Sequence, residues 1–171
     1  MKSSENIRPA DELVTWVDRD NQVLGSVSRR RMRQERLCHR AVYVLVFDHE
    51  GRLCVHERTS TKDFRPGWFE LSAGGVVAAD ESYDVAATRE LAEELGVIGV
   101  PLTSHGIFFD EAPDYQVWGA VYSCVYSGPL TLQPEEVADA WFMELPAISE
   151  VMLAKTTETS LKAFRHWQLQ N

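Results

Sequence analysis

The segment Arg40 to Phe47 (RAVYVLVF) constrains this chain more than any other. It is a near-continuous β-branched and aromatic run, the pattern of a strand buried on both faces, so structure must cover the sheet from both sides. Around it the sequence alternates strand and turn signals. Leu13–Asp18 and Gln22–Ser28 flank Arg19-Asp20-Asn21 like a hairpin, and Arg29–Leu37 is basic and helix-favouring. A turn at Asp48–Gly51 leads to a second strand at Leu53–Arg58. Pro66-Gly67 and Gly74-Gly75 each read as loop punctuation.

A helix is predicted over about 82–95, with Asp80 and Glu81 at its positive end and Gly96 at its stop. Strands follow near 102–109, 115–126 and 138–145. Pro146 opens helical material, and Thr157–Gln168 closes the chain as an amphipathic helix with Leu161, Phe164 and Trp167 on one side. Without regular βαβ alternation, this order suggests a mixed sheet packed between helices. The 171 residues suffice for one domain, read as 12–171 behind a loose leader at 1–11.

Charge narrows the function. With 26 acidic against 17 basic side chains the net charge is −9, which disfavours broad binding to nucleic acid polymers or anionic membranes. A phosphorylated substrate would need local basic groups or a bound cation. The three cysteines, Cys38, Cys54 and Cys124, form no CxxC pair and read as reduced thiols. With no apolar run of membrane-span length, the expectation is a cytoplasmic protein.

The predicted helix at 82–95 is badly built for stability alone. Ala87, Leu91 and Leu95 make a buried stripe, but Glu90, Glu93 and Glu94 crowd three carboxylates onto one face near the C-terminal end. Like charges repel at that spacing, and the helix dipole there favours cations. Solvation explains most such faces; a divalent cation with hard oxygen ligands explains this one better once its surroundings are considered.

Gly75, Glu81, Arg89, Glu90, Glu93, Glu94 and Gly96, with Leu91 and Val97, fit G-x5-E-x7-R-E-U-x-E-E-x-G-U at every fixed position. By average residue usage, chance would produce this on the order of once in ten million chains. The segment resembles the Nudix box, the signature of the Nudix hydrolase superfamily. That resemblance implies an α/β/α sandwich around a mixed sheet, and an enzyme that cleaves nucleoside diphosphate linkages by attack of an activated water.

It further implies Mg²⁺ or Mn²⁺ held by Glu90, Glu93, Glu94 and the Gly74 carbonyl. Gly75, Glu81, Arg89 and Gly96 would have structural roles in the box. For the general base, Glu94 and Glu111 are candidates, with Glu135 and Glu136 weaker. Arg58 and Lys62 are expected at phosphate, and Trp68, Tyr115 or above all Trp118 against a base. The expected partner is a small nucleotide or diphosphate; many relatives pair, so a homodimer is a further expectation.

The likeness runs further. Trp16-Val17-Asp18, Val23-Leu24-Gly25, Leu37 to Ala41 and Lys62 to Gly67 are similar to isopentenyl-diphosphate isomerase, a branch of the same superfamily. The isomerase Cys-Gly-His is Gly74-Gly75-Val76 here, so its catalytic thiol and one ligand histidine are absent. His39, which matches another ligand histidine, then reads as a satisfied strand-edge residue. Two other readings are weaker. A non-catalytic binding module would have lost a box glutamate, and zinc on Cys38, His39, Cys54 and His56 follows no zinc spacing.

Overall fold

The computed structural model describes residues 9–62 and 64–171, so most of the expected leader, residues 1–8, lies outside it. Pro9–Asp11 form a short 3₁₀ turn. β1 (Leu13–Val17) and β2 (Val23–Ser28) form the hairpin, and α1 (Arg29–Glu35) follows at once, capped by the Ser28 hydroxyl accepting from the Arg31 N–H.

β3 (Cys38–Phe47) is the axis of the sheet. It runs parallel to β8 (Tyr115–Val125) along its whole length, from Cys38 opposite Gln116 to Phe47 opposite Val125. β7 (Thr103–Ala112) continues the sheet antiparallel beyond β8. On the other side of β3, β1 meets its start and β4 (Leu53–Arg58) its end, with β6 (Ala73–Val76) between them. β4 in turn carries β9 (Val137–Met143) on one edge and the two-residue β5 (Phe69–Glu70) on the other.

Alternation along β3 supplies both cores. Val42, Val44 and Val46 pack with Ala120 and Tyr122 of β8 beneath Ala86, Ala87, Leu91 and Leu95 of α2 (Tyr83–Leu95). On the opposite face Leu45 joins Leu53, Val55 and Val121 beneath Ala163 and Phe164 of α4 (Glu158–Gln168), flanked by Leu161 and Trp167. Between β9 and α4 lie a 3₁₀ turn at Leu145–Ala147 and the short α3 (Glu150–Ala154). The result is a mixed sheet between helices. Among the described residues no helix is long and apolar enough to cross a membrane.

One expectation fails here. Gly74 and Gly75 are not a loop; they form the middle of β6, with Tyr43 opposite Gly74 and Val42 opposite Gly75. Glycine is needed for closeness rather than for turning. A Cβ on Gly74 would lie 1.9 Å from the Val42 carbonyl oxygen.

Candidate active site

α2 delivers the glutamates. Ser82 caps it by accepting from the Val85 N–H, and Gly96 ends it in the left-handed region at φ 68°. The apolar stripe fixes the rotation of the helix, which puts Glu90, Glu93 and Glu94 along the edge that faces β6. There they line a cavity of about 1270 Å³ together with Gly74, Gly75, Arg58, Lys62, Glu70 and the inner face of α1.

Arg89 answers much of the repulsion expected on this face. It grips Glu81 with two bonds of 2.7 and 2.9 Å, and it reaches Glu90 at 2.8 Å and Glu93 at 3.3 Å. Glu81 in turn accepts from the Ala78 N–H at 2.9 Å, tying the preceding loop to the helix. Hydrogen bonding to Arg89 outweighs burial and holds Glu81 below the ordinary carboxylate range.

Glu94 has no such cation beside it. It is 6% exposed, and its Oε2 accepts from the Gly74 N–H at 3.2 Å. Burial, then the charges of Glu70 and Glu90, push its carboxyl well above the usual range. Burial also raises Glu90, against the pull of Arg89. Glu93 stands at the mouth, half exposed. Buried carboxylates that face one another at this cost are the oxygen-rich surroundings a hard divalent cation takes, so the donor set fits Mg²⁺ or Mn²⁺.

Two residues missed as site components complete the floor. His56 on β4 and Glu70 on β5 stand opposite each other in register, and His56 Nε2 lies 3.0 Å from Glu70 Oε2 and 3.9 Å from Glu94 Oε2. Ligand-type atoms of His56, Glu70 and Glu94 all fall within 4.8 Å of one another. Burial works to raise Glu70, but hydrogen bonds and charge from His56 and Arg58 hold it low. The available signal was a polar residue inside each of two apolar stretches, LCVHER and WFEL.

The other candidates divide. Arg58 is in the cavity, but its guanidinium is engaged by Glu70 at 2.8 Å and by the Phe64 carbonyl at 3.0 Å. Lys62 stands on the wall and is ion-paired with Glu136, which also lines the cavity. Tyr115 lines it too, with its hydroxyl donating to Asp110 at 2.7 Å. Trp68 instead lies under the Arg65 guanidinium.

Glu111 and Trp118 are not among the cavity-lining residues. Adjacent residues on a strand face opposite ways, so the buried Asp110 faces inward and Glu111 outward. There Glu111 pairs with Arg19 at 2.8 Å, about half exposed. Trp118 shares a face of β8 with Ala120 and Tyr122, on the α2 side, and packs on Phe109. Tyr115 and Val117 take the cavity positions beside it.

His39 does reach the cavity. It is a neutral imidazole, its Nδ1 bonded to the Leu37 carbonyl at 3.2 Å, with burial lowering its pKa to about 4. Neither it nor any cysteine belongs to a cluster of metal-ligand side chains among the described residues, so the zinc grouping is not assembled.

Comparison with known proteins agrees with the geometry. The NUDIX domain family model matches residues 38–167. The uncharacterized Nudix hydrolase YfcD of Salmonella typhi is 44% identical over 160 residues, covering 94% of this chain and 86% of that protein. The uncharacterized Nudix hydrolase PA4841 of Pseudomonas aeruginosa is 42% identical, over 90% of this chain and 92% of its own.

Among solved structures, DR0079 from Deinococcus radiodurans superimposes with a TM-score of 0.76. It has 21% identity and covers 91% of this chain and 99% of that one. The NUDIX domain of Shewanella oneidensis NrtR, solved with ADP ribose, gives a TM-score of 0.61 at 18% identity, over 77% and 89% of the two chains. With the family model matched over residues 38–167, and relatives alike along nearly their whole length, this chain belongs to the Nudix hydrolase family, and Gly75, Arg89, Glu90, Glu93 and Glu94 of its box line the cavity.

Proposed function

We propose that the protein hydrolyses the diphosphate linkage of nucleoside di- or triphosphates or related nucleoside diphosphate derivatives, using Mg²⁺ or Mn²⁺. The observation that carries this reading is the convergence of Glu90, Glu93, Glu94 and Gly74 on one wall of a cavity large enough for a nucleotide. Glu90, Glu93, Glu94 and the Gly74 carbonyl would hold the cation. When bound, it would neutralise the diphosphate and lower the pKa of an attacking water.

The side chains do the rest. Arg89 keeps Glu90 and Glu93 from splaying apart. Glu94, buried and held by the Gly74 N–H on the same wall, would take the proton from the attacking water. Glu70 and His56 close the floor behind it. Lys62, released from Glu136, and Arg58 supply positive charge to the phosphates. Glu111 would require its strand face reversed to act as base.

An isomerase-like reaction needs a thiol in the cavity. Cys38, Cys54 and Cys124 are all buried and none lines it, so hydrolysis is favoured. The test is phosphate and monophosphate release with Mg²⁺ over nucleoside di- and triphosphates, dinucleotides, nucleotide sugars and isopentenyl diphosphate. ADP-ribose, which the Shewanella domain binds, belongs in the panel. Cleavage of one class, lost in Glu94→Gln, supports the reading. Isomerisation of isopentenyl diphosphate, or binding without cleavage, overturns it.

A further inference from the structure

The cavity floor gathers metal-ligand atoms of its own, apart from the box. His56, Glu70 and Glu94 arrive from β4, β5 and α2, and their ligand-type atoms lie within 4.8 Å of one another. None is a surface group. His56 is 1% exposed, Glu94 is buried and the Glu70 side chain is 14% exposed. Glu90 and Glu93, gripped by Arg89, do not belong to this group.

The three side chains are held in place from behind. Arg58 Nη1 donates to Glu70 Oε1 at 2.8 Å and the Thr157 hydroxyl donates to the same oxygen at 3.3 Å, which leaves Oε2 to His56. Fixing a ligand through its second shell in this way is a habit of metal sites. Glu94 Oε2, steadied by the Gly74 N–H, faces the same ring nitrogen from 3.9 Å. The one proton on Nε2 reaches Glu70 at hydrogen-bond length but not Glu94. The other ring nitrogen, Nδ1, is buried without a partner. It is therefore open to take that proton when Nε2 gives its lone pair to an ion.

The spacing suits an ion. Bonds of roughly 2.0–2.2 Å from one metal to a nitrogen and an oxygen at right angles put those two atoms about 3.0 Å apart, and a wider angle reaches the second oxygen. Glu70 and Glu94 both line the cavity, so a cation has a way in. The donor set also chooses. Mg²⁺ takes oxygen ligands, whereas imidazole suits first-row transition ions. We propose that His56, Glu70 and Glu94 form a second cation seat, separate from the box, which takes a transition ion such as Mn²⁺, Co²⁺ or Zn²⁺ in preference to Mg²⁺. Glu94 is shared between the two seats: Oε2 faces His56, and a carboxylate has a second oxygen to give the box. The seat does not depend on the hydrolase reading, because an ion held here is bound whether or not a diphosphate is cleaved.

The probe is Mn²⁺ alone, added to the whole chain without nucleotide and with Mg²⁺ in large excess. Pulsed electron paramagnetic resonance reads whether a nitrogen nucleus is bonded to the ion, and calorimetry reads its affinity. Both are repeated on H56Q, E70Q and E90Q/E93Q, with circular dichroism to check that each variant keeps its fold. The wild-type spectrum decides the donor set by itself, so the test survives a variant that does not fold.

The wild type should retain Mn²⁺ against Mg²⁺ and show a bonded nitrogen. H56Q should lose the nitrogen signal, and H56Q and E70Q should each weaken the retained ion by about tenfold or more, at least what loss of an outer-shell partner costs. E90Q/E93Q should keep the nitrogen-bonded ion. An oxygen-only ion in the wild type would overturn the proposal, as would a nitrogen signal that survives H56Q. Loss of that signal in E90Q/E93Q would mean a single seat, and would overturn it too. A nitrogen-bonded ion in a protein that cleaves none of the diphosphates would support the seat while sinking the hydrolase reading. Cleavage with an oxygen-only ion would do the reverse.

Discussion

Gly75 and Glu90 meet across a gap that only a hydrogen atom can occupy: a Cβ on Gly75 would lie 2.4 Å from Glu90 Oε1 and 2.6 Å from its Cδ. The obstructed atoms are the end of a flexible side chain. Gly75→Ala should therefore displace the carboxylate and spare the fold. Mn²⁺ affinity, read by electron paramagnetic resonance, should fall about tenfold or more, with little change in melting temperature.

Gly74→Ala makes the contrast. Its Cβ would strike the Val42 carbonyl, which is backbone of the central strand and cannot swing aside. About 3 kcal/mol or more of stability should be lost, visible in denaturant unfolding before any metal is added. A Gly74→Ala protein as stable as the wild type would contradict the pairing of β6 with β3.

Glu94→Gln separates function from stability. Turnover should drop by about three orders of magnitude, roughly 4 kcal/mol of transition-state stabilisation. Glutamine can still accept from the Gly74 N–H, so the fold should persist. The pH dependence follows from the sign of the shift. The folded pKa of Glu94 lies above its unfolded value, so the stability from its protonated form is complete below the ordinary carboxylate range. It is lost as pH rises through the folded pKa. In metal-free protein, the melting-temperature difference between Glu94→Gln and wild type should widen in favour of the variant as pH increases. A constant difference from pH 5 to 8 would refute the assigned burial cost.

Arg89 holds three carboxylates, one of them only 10% exposed. Arg89→Gln should cost about 2–4 kcal/mol, near the range for breaking a buried pair and reduced by the partial exposure of the arginine. Arg89→Lys should recover only part, because an ammonium cannot reproduce the two-bond grip on Glu81. Full recovery by lysine in chemical denaturation would show that charge alone matters there.

Glu111→Gln and Trp118→Phe test the two candidates that the fold turns away from the cavity. Each should keep kcat and KM within about twofold of wild type, as expected for positions that touch no reacting group. A loss of a hundredfold in Glu111→Gln would place a moving β7–β8 hairpin in the catalytic cycle.

What the sequence disclosed followed from periodicity and local chemistry. The apolar run to Phe47 announced a two-faced strand, and Gly96 marked the stop of the glutamate helix because a left-handed end is written in a single residue. Glu90, Glu93 and Glu94 were visible as a pattern that makes poor sense without a ligand. Glu70 and His56 were not, because they become neighbours only through the pairing of β4 with β5, and a two-residue strand has no periodicity to read. The strand character of Gly74-Gly75 was hidden for a related reason: residue propensity said turn, and long-range pairing with β3 overruled it. The outward turn of Glu111 depended on strand register, which a shift of one residue would reverse.

The parallel union of β3 with β8 also carries a schedule. A ribosome releases residue 38 long before residue 116, its partner in register, so the axis of the sheet waits unpaired on that side through nearly half of synthesis. The glutamate helix waits as well: the carbonyls of Glu94 and Leu95 at its end are satisfied by the N–H groups of Gln133 and Thr131, from the link between β8 and β9. Contacts so distant along the chain make folding slow. The end of the glutamate helix is therefore tied down only once that link is made, and a chain truncated before β8 would expose the apolar strand along that edge.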